Sequence, residues 1–140
     1  MRARHGRVSA ERVLSGTGLL AVYGFVRGRD GQGEALQDPA EVPRRALAEA
    51  GGPAARALDL FVACYGAFAG DIALAFLARG GLYLGGGIAA KLAPRLAQGD
   101  FMAAFNAKGR HAGLAASIPV RLLRNEKLGL LGAAAWAARD

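Results

Sequence analysis

Between residues 54 and 78 the apolar positions Leu58, Phe61, Val62, Tyr65, Phe68, Ala69, Ile72 and Phe76 recur at helical spacing. They predict the longest helix of the chain, opened by Pro53 and burying that face. Gly66 and Gly70 lie one turn apart on it, where a second backbone can approach closely. Upstream, VSAERVLSG (8–16) predicts a short helix stopped at Gly16. Ser15 then caps a second helix from about Thr17 to Arg27, with Leu19, Leu20, Tyr23 and Val26 on one face. Residues 28–39, GRDGQGEALQDP, form a loop by their Gly, Asp and Pro content. Asp38 as N-cap and Pro39 at the first helical position open a modest helix over 40–50, ended by Gly51-Gly52.

After Arg79 the period changes. Leu82-Tyr83-Leu84 is a short apolar run bounded by glycines, the pattern of a strand buried on both faces. Helix resumes from Ile88 to Leu96, broken by Pro94, and again from Asp100 to Asn106. Ile118 to Leu123 reads as a second strand, and Leu130 to Ala138 as a terminal helix after a turn at 125–129. The order is that of an α/β protein with right-handed crossovers. Two strands fall short of the roughly 5–6 of an ordinary sheet. The missing strands come from another chain, or the sequence is one part of a larger domain. A homo-oligomer is expected on the same ground.

At 140 residues, 53% hydrophobic and 21% charged, the chain is sized for one domain, 1–140, and is not of disordered composition. The formal charge of +7 invites a nucleic-acid partner. Only Arg2, Arg4, Arg7 and Arg12 crowd together, however, and the remaining cations are scattered among aliphatic stretches as solvated faces, so no nucleic-acid role is expected. Cys64 is alone, which excludes a disulfide framework and fits a small buried hydrophobe in a reducing cytoplasm. Residues 1–12 show positive charge without a following apolar stretch, so no signal peptide is expected. Residues 57–77 have bilayer-crossing length, but Asp59 and Asp71 favour a core helix, and no membrane partner is expected.

The stretch GGLYLGGGI (80–88) raises the main chemical question. Glycine costs roughly 0.5–1 kcal/mol relative to alanine inside regular structure, so Gly85-Gly86-Gly87 between a strand and a helix marks a tight turn or a close ligand approach. Spacing alone leaves both open. Glu11, read by itself, is an exposed helix residue available to a nearby Arg. His5 and His111 have no metal-spaced partner and read as surface residues. Asp71 is expected to find a backbone or Arg partner, and Lys108 and Arg110 to lie in a solvated loop.

Three blocks together carry a resemblance. VSAERVLSGTGL (8–19) is similar to an SxExxxSGxGL segment, GGLYLGGGI to an adenosine-side glycine turn, and DFMAAFNAKGR (100–110), IPV (118–120) and GLLG (129–132) to the segments that follow it. In that order and spacing they resemble the C-terminal part of the bacterial glucokinase family, within the actin-like sugar kinases, over nearly the whole chain. The resemblance implies the helix-rich C-terminal part of an actin-like (ribonuclease H-like) large domain. It implies a kinase that transfers phosphate from ATP, with Mg²⁺, to glucose in the cytoplasm. It places Glu11 on a glucose hydroxyl and Gly85, Gly86 and Gly87 beside adenine and ribose, with Ser15 and Gly16 next to the nucleotide. Glu126-Lys127-Leu128-Gly129 departs from the family's Asp-Asn-Pro-Gly turn. The family's phosphate loops, its catalytic Asn-Asp pair and its Glu-Gly-Gly-His sugar segment have no counterpart here. The expectation is therefore a chain with no catalytic residue and no metal ligand of its own, inactive alone. A degenerate, non-catalytic module that binds nucleotide or a partner is the alternative.

Overall fold

The computed structural model describes residues 2–139. Its centre is α4 (Pro53–Ala75), flanked by α2 (Gly16–Asp30), α3 (Glu41–Ala48) and α7 (Asp100–Asn106). A short N-terminal helix α1 (Arg2–His5) precedes them. A parallel pair, β1 (Leu82–Leu84) and β2 (Val120–Leu122), is joined by α5 (Gly87–Lys91), α6 (Ala93–Leu96), α7 and α8 (Ala112–Ala116); α9 (Leu128–Ala137) ends the chain. Leu82 pairs with Val120, Tyr83 with Arg121 and Leu84 with Leu122.

The core forms where α4 meets its three neighbours. Phe61, Val62, Phe101, Phe105, Val42 and Ile118 are almost fully removed from water. Apolar burial at about 25 cal/mol per Å² is what holds these helices together. Gly66 and Gly70 are on the α4 face that α7 crosses, and a Cβ at either would strike the Phe101 or Phe105 carbonyl. That close approach is the one expected from their spacing. It sets Tyr65 edge-on to Phe101, with centroids 5.5 Å apart, and stacks Phe101 on Phe105 at 6.2 Å. By length and apolar composition α4 could cross a bilayer, but α2, α3 and α7 pack against part of its surface here.

Several expectations need correction. Phe68 and Phe76, counted on the buried face of α4, are 41% and 78% exposed: Phe68 lines a hollow with Tyr65, Gly85 and Gly86, and Phe76 lies past the last residue of α4. β1 is not buried on both faces: Leu84 points inward, whereas Tyr83 is exposed beneath the Arg121 guanidinium. The helix expected over 8–16 is a single 3-10 turn, Ala10–Arg12. Asp38 does not cap α3 directly; its carboxylate accepts from the Ala40 amide at 2.8 Å, and the helix starts at Glu41 with Ala40 as its N-cap. Lys108 is no solvated loop cation. Its nearly buried ammonium donates to the Ala67 carbonyl and to Asp71 Oδ1, each at 2.7 Å, so Asp71 finds a Lys rather than an Arg.

Candidate functional site

Ser15 is the pivot of the site. It has extended backbone (φ −148°, ψ 172°), and its Oγ accepts from the Gly18 amide at 3.0 Å, so it caps α2 as its position before GTG predicts. Two residues into that helix, a Cβ on Gly18 would collide with the Val13 carbonyl. Lacking one, Gly18 lets the 3-10 turn at 10–12 fold directly onto the start of α2. The SGTG sequence thereby fixes where Glu11 stands relative to Ser15.

Two cavities open on either side of Ser15. The first, about 540 Å³, is lined by Glu11 with His5, Ser9, Arg12, Thr17 and Ala21, and is mostly polar. Glu11 is exposed and forms no ion pair with a described side chain, so the Glu–Arg pairing that was its plain alternative is not found. A free carboxylate has two oxygens to offer hydroxyl donors, and such charge-assisted bonds are about twice as strong as neutral ones. His5 is half-buried on this cavity rather than a plain surface residue; His111 is exposed.

The second cavity, about 410 Å³, brings Ser15 and Gly16 from the α2 N-terminus together with Gly87 at the start of α5. Leu19, Phe61, Ile88 and Leu92 supply apolar surface, and Asp38 and Lys91 are its charged residues. A mostly apolar hollow with few polar groups is the usual form of a small-molecule site. A smaller hollow of about 310 Å³ adjoins it across Phe61, Gly87 and Ile88 and is lined by Gly85, Gly86, Tyr65 and Phe68. Burial pushes the Tyr65 phenol up from its ordinary value.

The three glycines do not have one explanation. Gly86 takes φ +94°, a conformation side chains rarely adopt, so the turn itself requires it. Gly87 has neither a positive φ nor any atom within 4 Å of where a Cβ would stand. Neither turn geometry nor packing asks for glycine there, and an added side chain would project into open space beside the cavity.

The structure thus brings Ser15, Gly16 and Gly87 to one cavity, Gly85 and Gly86 to its neighbour, and Glu11 to the far side of Ser15. Phe61, Asp38 and Lys91 were not foreseen as lining residues. Phe61 read only as core from its helical spacing, and nothing local ties Asp38 to a turn 49 residues later in sequence. Among the described residues no group of three or more His, Cys, Asp and Glu side chains gathers at metal-binding distance.

A family model described as Glucokinase matches residues 1–140. The chain is 45% identical over 132 residues to a glucokinase of Mesorhizobium japonicum, covering 94% of this chain and 39% of that protein. It is 40% identical over 153 residues to a glucokinase of a Nostoc species, covering 95% and 45% respectively. Among solved structures, a glucokinase from an Antarctic psychrotroph superposes with a TM-score of 0.86 at 32% identity, covering 99% of this chain and 43% of that one. The chain therefore spans about two-fifths of the length of these relatives.

Proposed function

This chain belongs to the glucokinase family, and on that premise we propose that it supplies the adenosine side and part of the glucose side of a cytoplasmic kinase converting glucose and ATP to glucose 6-phosphate and ADP. One observation carries the reading: Ser15 lines both cavities, so a sugar held by Glu11 and a nucleotide held at the glycine turn would be neighbours. Phosphoryl transfer is largely positioning plus electrostatic stabilisation, and adjoining sites are its first requirement.

Each residue has a part that its surroundings allow. Glu11 accepts hydrogen bonds from sugar hydroxyls. Gly85, Gly86 and Gly87 admit adenine and ribose without Cβ contact, against Phe61 and Ile88, and the Ser15-Gly16 helix start closes the other wall. Mg²⁺, when bound with the nucleotide, neutralises phosphate charge; its protein ligands are expected outside these residues. The same holds for the carboxylate that takes the hydroxyl proton, so the chain alone binds nucleotide and does not turn over. Its open strand pair and α9 meet the remaining three-fifths of the fold, or a second copy when that part is missing.

A coupled assay on purified residues 1–140 tests this. No glucose 6-phosphate above background, together with saturable ADP binding, is the expected result. Robust turnover by the chain alone, or no nucleotide binding at all, overturns it.

A further inference from the structure

We infer that Lys91 is a phosphate-reading residue of this chain, the cation that makes the second cavity prefer a charged nucleotide to an uncharged nucleoside. The inference rests on the nucleotide reading above. It comes from the state of the cations around the core. Arg95 is held by Asp59 and Asp100, Lys108 by Asp71, Arg56 by Asp30, and Arg45 by Glu34. Lys91 is exposed and makes no ion pair or side-chain hydrogen bond among the described residues. It lies one helical turn beyond Gly87 on α5 and lines the cavity that Ser15, Gly16 and Gly87 form.

Among the described residues lining that cavity the only other charged one, Asp38, is already engaged: its Oδ1 accepts from the Ala40 amide at 2.8 Å and its Oδ2 faces Arg44 at 3.5 Å. The unpaired charge on the cavity wall is therefore positive. Apolar walls on Leu19, Phe61, Ile88 and Leu92 concentrate its field within the hollow. The ammonium is a compact donor on a flexible four-carbon stem, suited to following a phosphate rather than fixing a planar group. A phosphate attached to a nucleoside seated at the glycine turn is the anion such a group would meet first.

Calorimetric titration of the 140-residue chain with ADP and with adenosine tests this, using Lys91→Met, Lys91→Arg, and Lys127→Met as a variant with the same charge change outside the cavity. Wild type and Lys127→Met should bind ADP more tightly than adenosine. Lys91→Met should lose roughly tenfold in ADP affinity, as expected for one partly exposed charge-assisted contact, with adenosine affinity unchanged and Lys91→Arg restoring most of the loss. If Lys91→Met keeps the preference for ADP, the role of Lys91 is wrong and the nucleotide site stands. An equal loss in Lys127→Met would reduce the effect to net charge and overturns the inference. If neither ligand binds wild type, both readings fall.

Discussion

The helices α4 and α9 are both apolar in sequence and have opposite fates. Around α4, Phe61, Val62, Phe101 and Phe105 are buried to 2% exposure or less. On α9, LGLLGAAAWA, no residue is buried, and Leu130, Leu131 and Trp136 are 72%, 53% and 72% exposed. Tyr83 on β1 and Phe76 at the end of α4 are open in the same way. A helix apolar on all sides is normally an interior element, and contiguous exposed apolar surface marks an interaction face. The difference is between apolar surface that closes within the described residues and apolar surface that they leave open.

That contrast can be broken at measurable points. The largest effect is expected from Phe105→Ala, which empties a fully buried site beneath α4 and should cost about 3–5 kcal/mol in urea denaturation. Next is Gly66→Ala, whose new methyl meets backbone rather than a movable side chain; overpacking of this kind costs about 1–3 kcal/mol. On the other side of the comparison, Leu130→Glu with Trp136→Glu should change stability by no more than about 0.5 kcal/mol, as for exposed positions. The same pair should abolish self-association in light scattering. Unchanged association, or a stability loss matching that of Phe105→Ala, would remove the distinction between the two regions.

The smallest effect concerns pH. The Arg29 guanidinium hydrogen bond is the leading cause that holds the Asp30 carboxyl below its ordinary 3.8, and Arg56 of α4 adds to it. A lowered folded value means the stabilisation is present above about pH 3.8 and is lost as acid protonates the native carboxylate. Asp30→Asn should flatten the acid limb of the melting profile slightly. An unchanged limb would show that the pairing of Asp30 with Arg29 and Arg56 contributes nothing.

Local signals made much of the fold legible. Pro53 starts α4, Ser15 caps α2, and the α7 boundaries at Asp100 and Asn106 are as the sequence predicts. Gly66 and Gly70 announce the α7 crossing by their spacing. What failed had a remote cause. Helical periodicity identifies the apolar side of α4 but neither the width of the face its partners cover nor the helix end at Ala75, so it includes Phe68 and Phe76 with the core. The 8–16 segment becomes one 3-10 turn because its carbonyls pack on Gly18 at the next element. For the candidate site, Glu11, Ser15, Gly16 and the glycine turn were singled out from the sequence, the sugar role of Glu11 through family resemblance. Asp38 and Lys91 were not, since only the folded chain brings them to one cavity.

The central claim is that the glycine turn and the α2 N-terminus form one nucleotide cavity, and Gly87→Val tests it most directly. A Cβ at Gly87 meets no protein atom within 4 Å, so the variant should melt close to wild type. In amide NMR titrations with ADP, wild type should show shifts at Ser15, Gly16 and Gly85–Gly87, and the variant should show none. Full ADP binding by a folded Gly87→Val, or wild-type shifts confined elsewhere, would contradict the account.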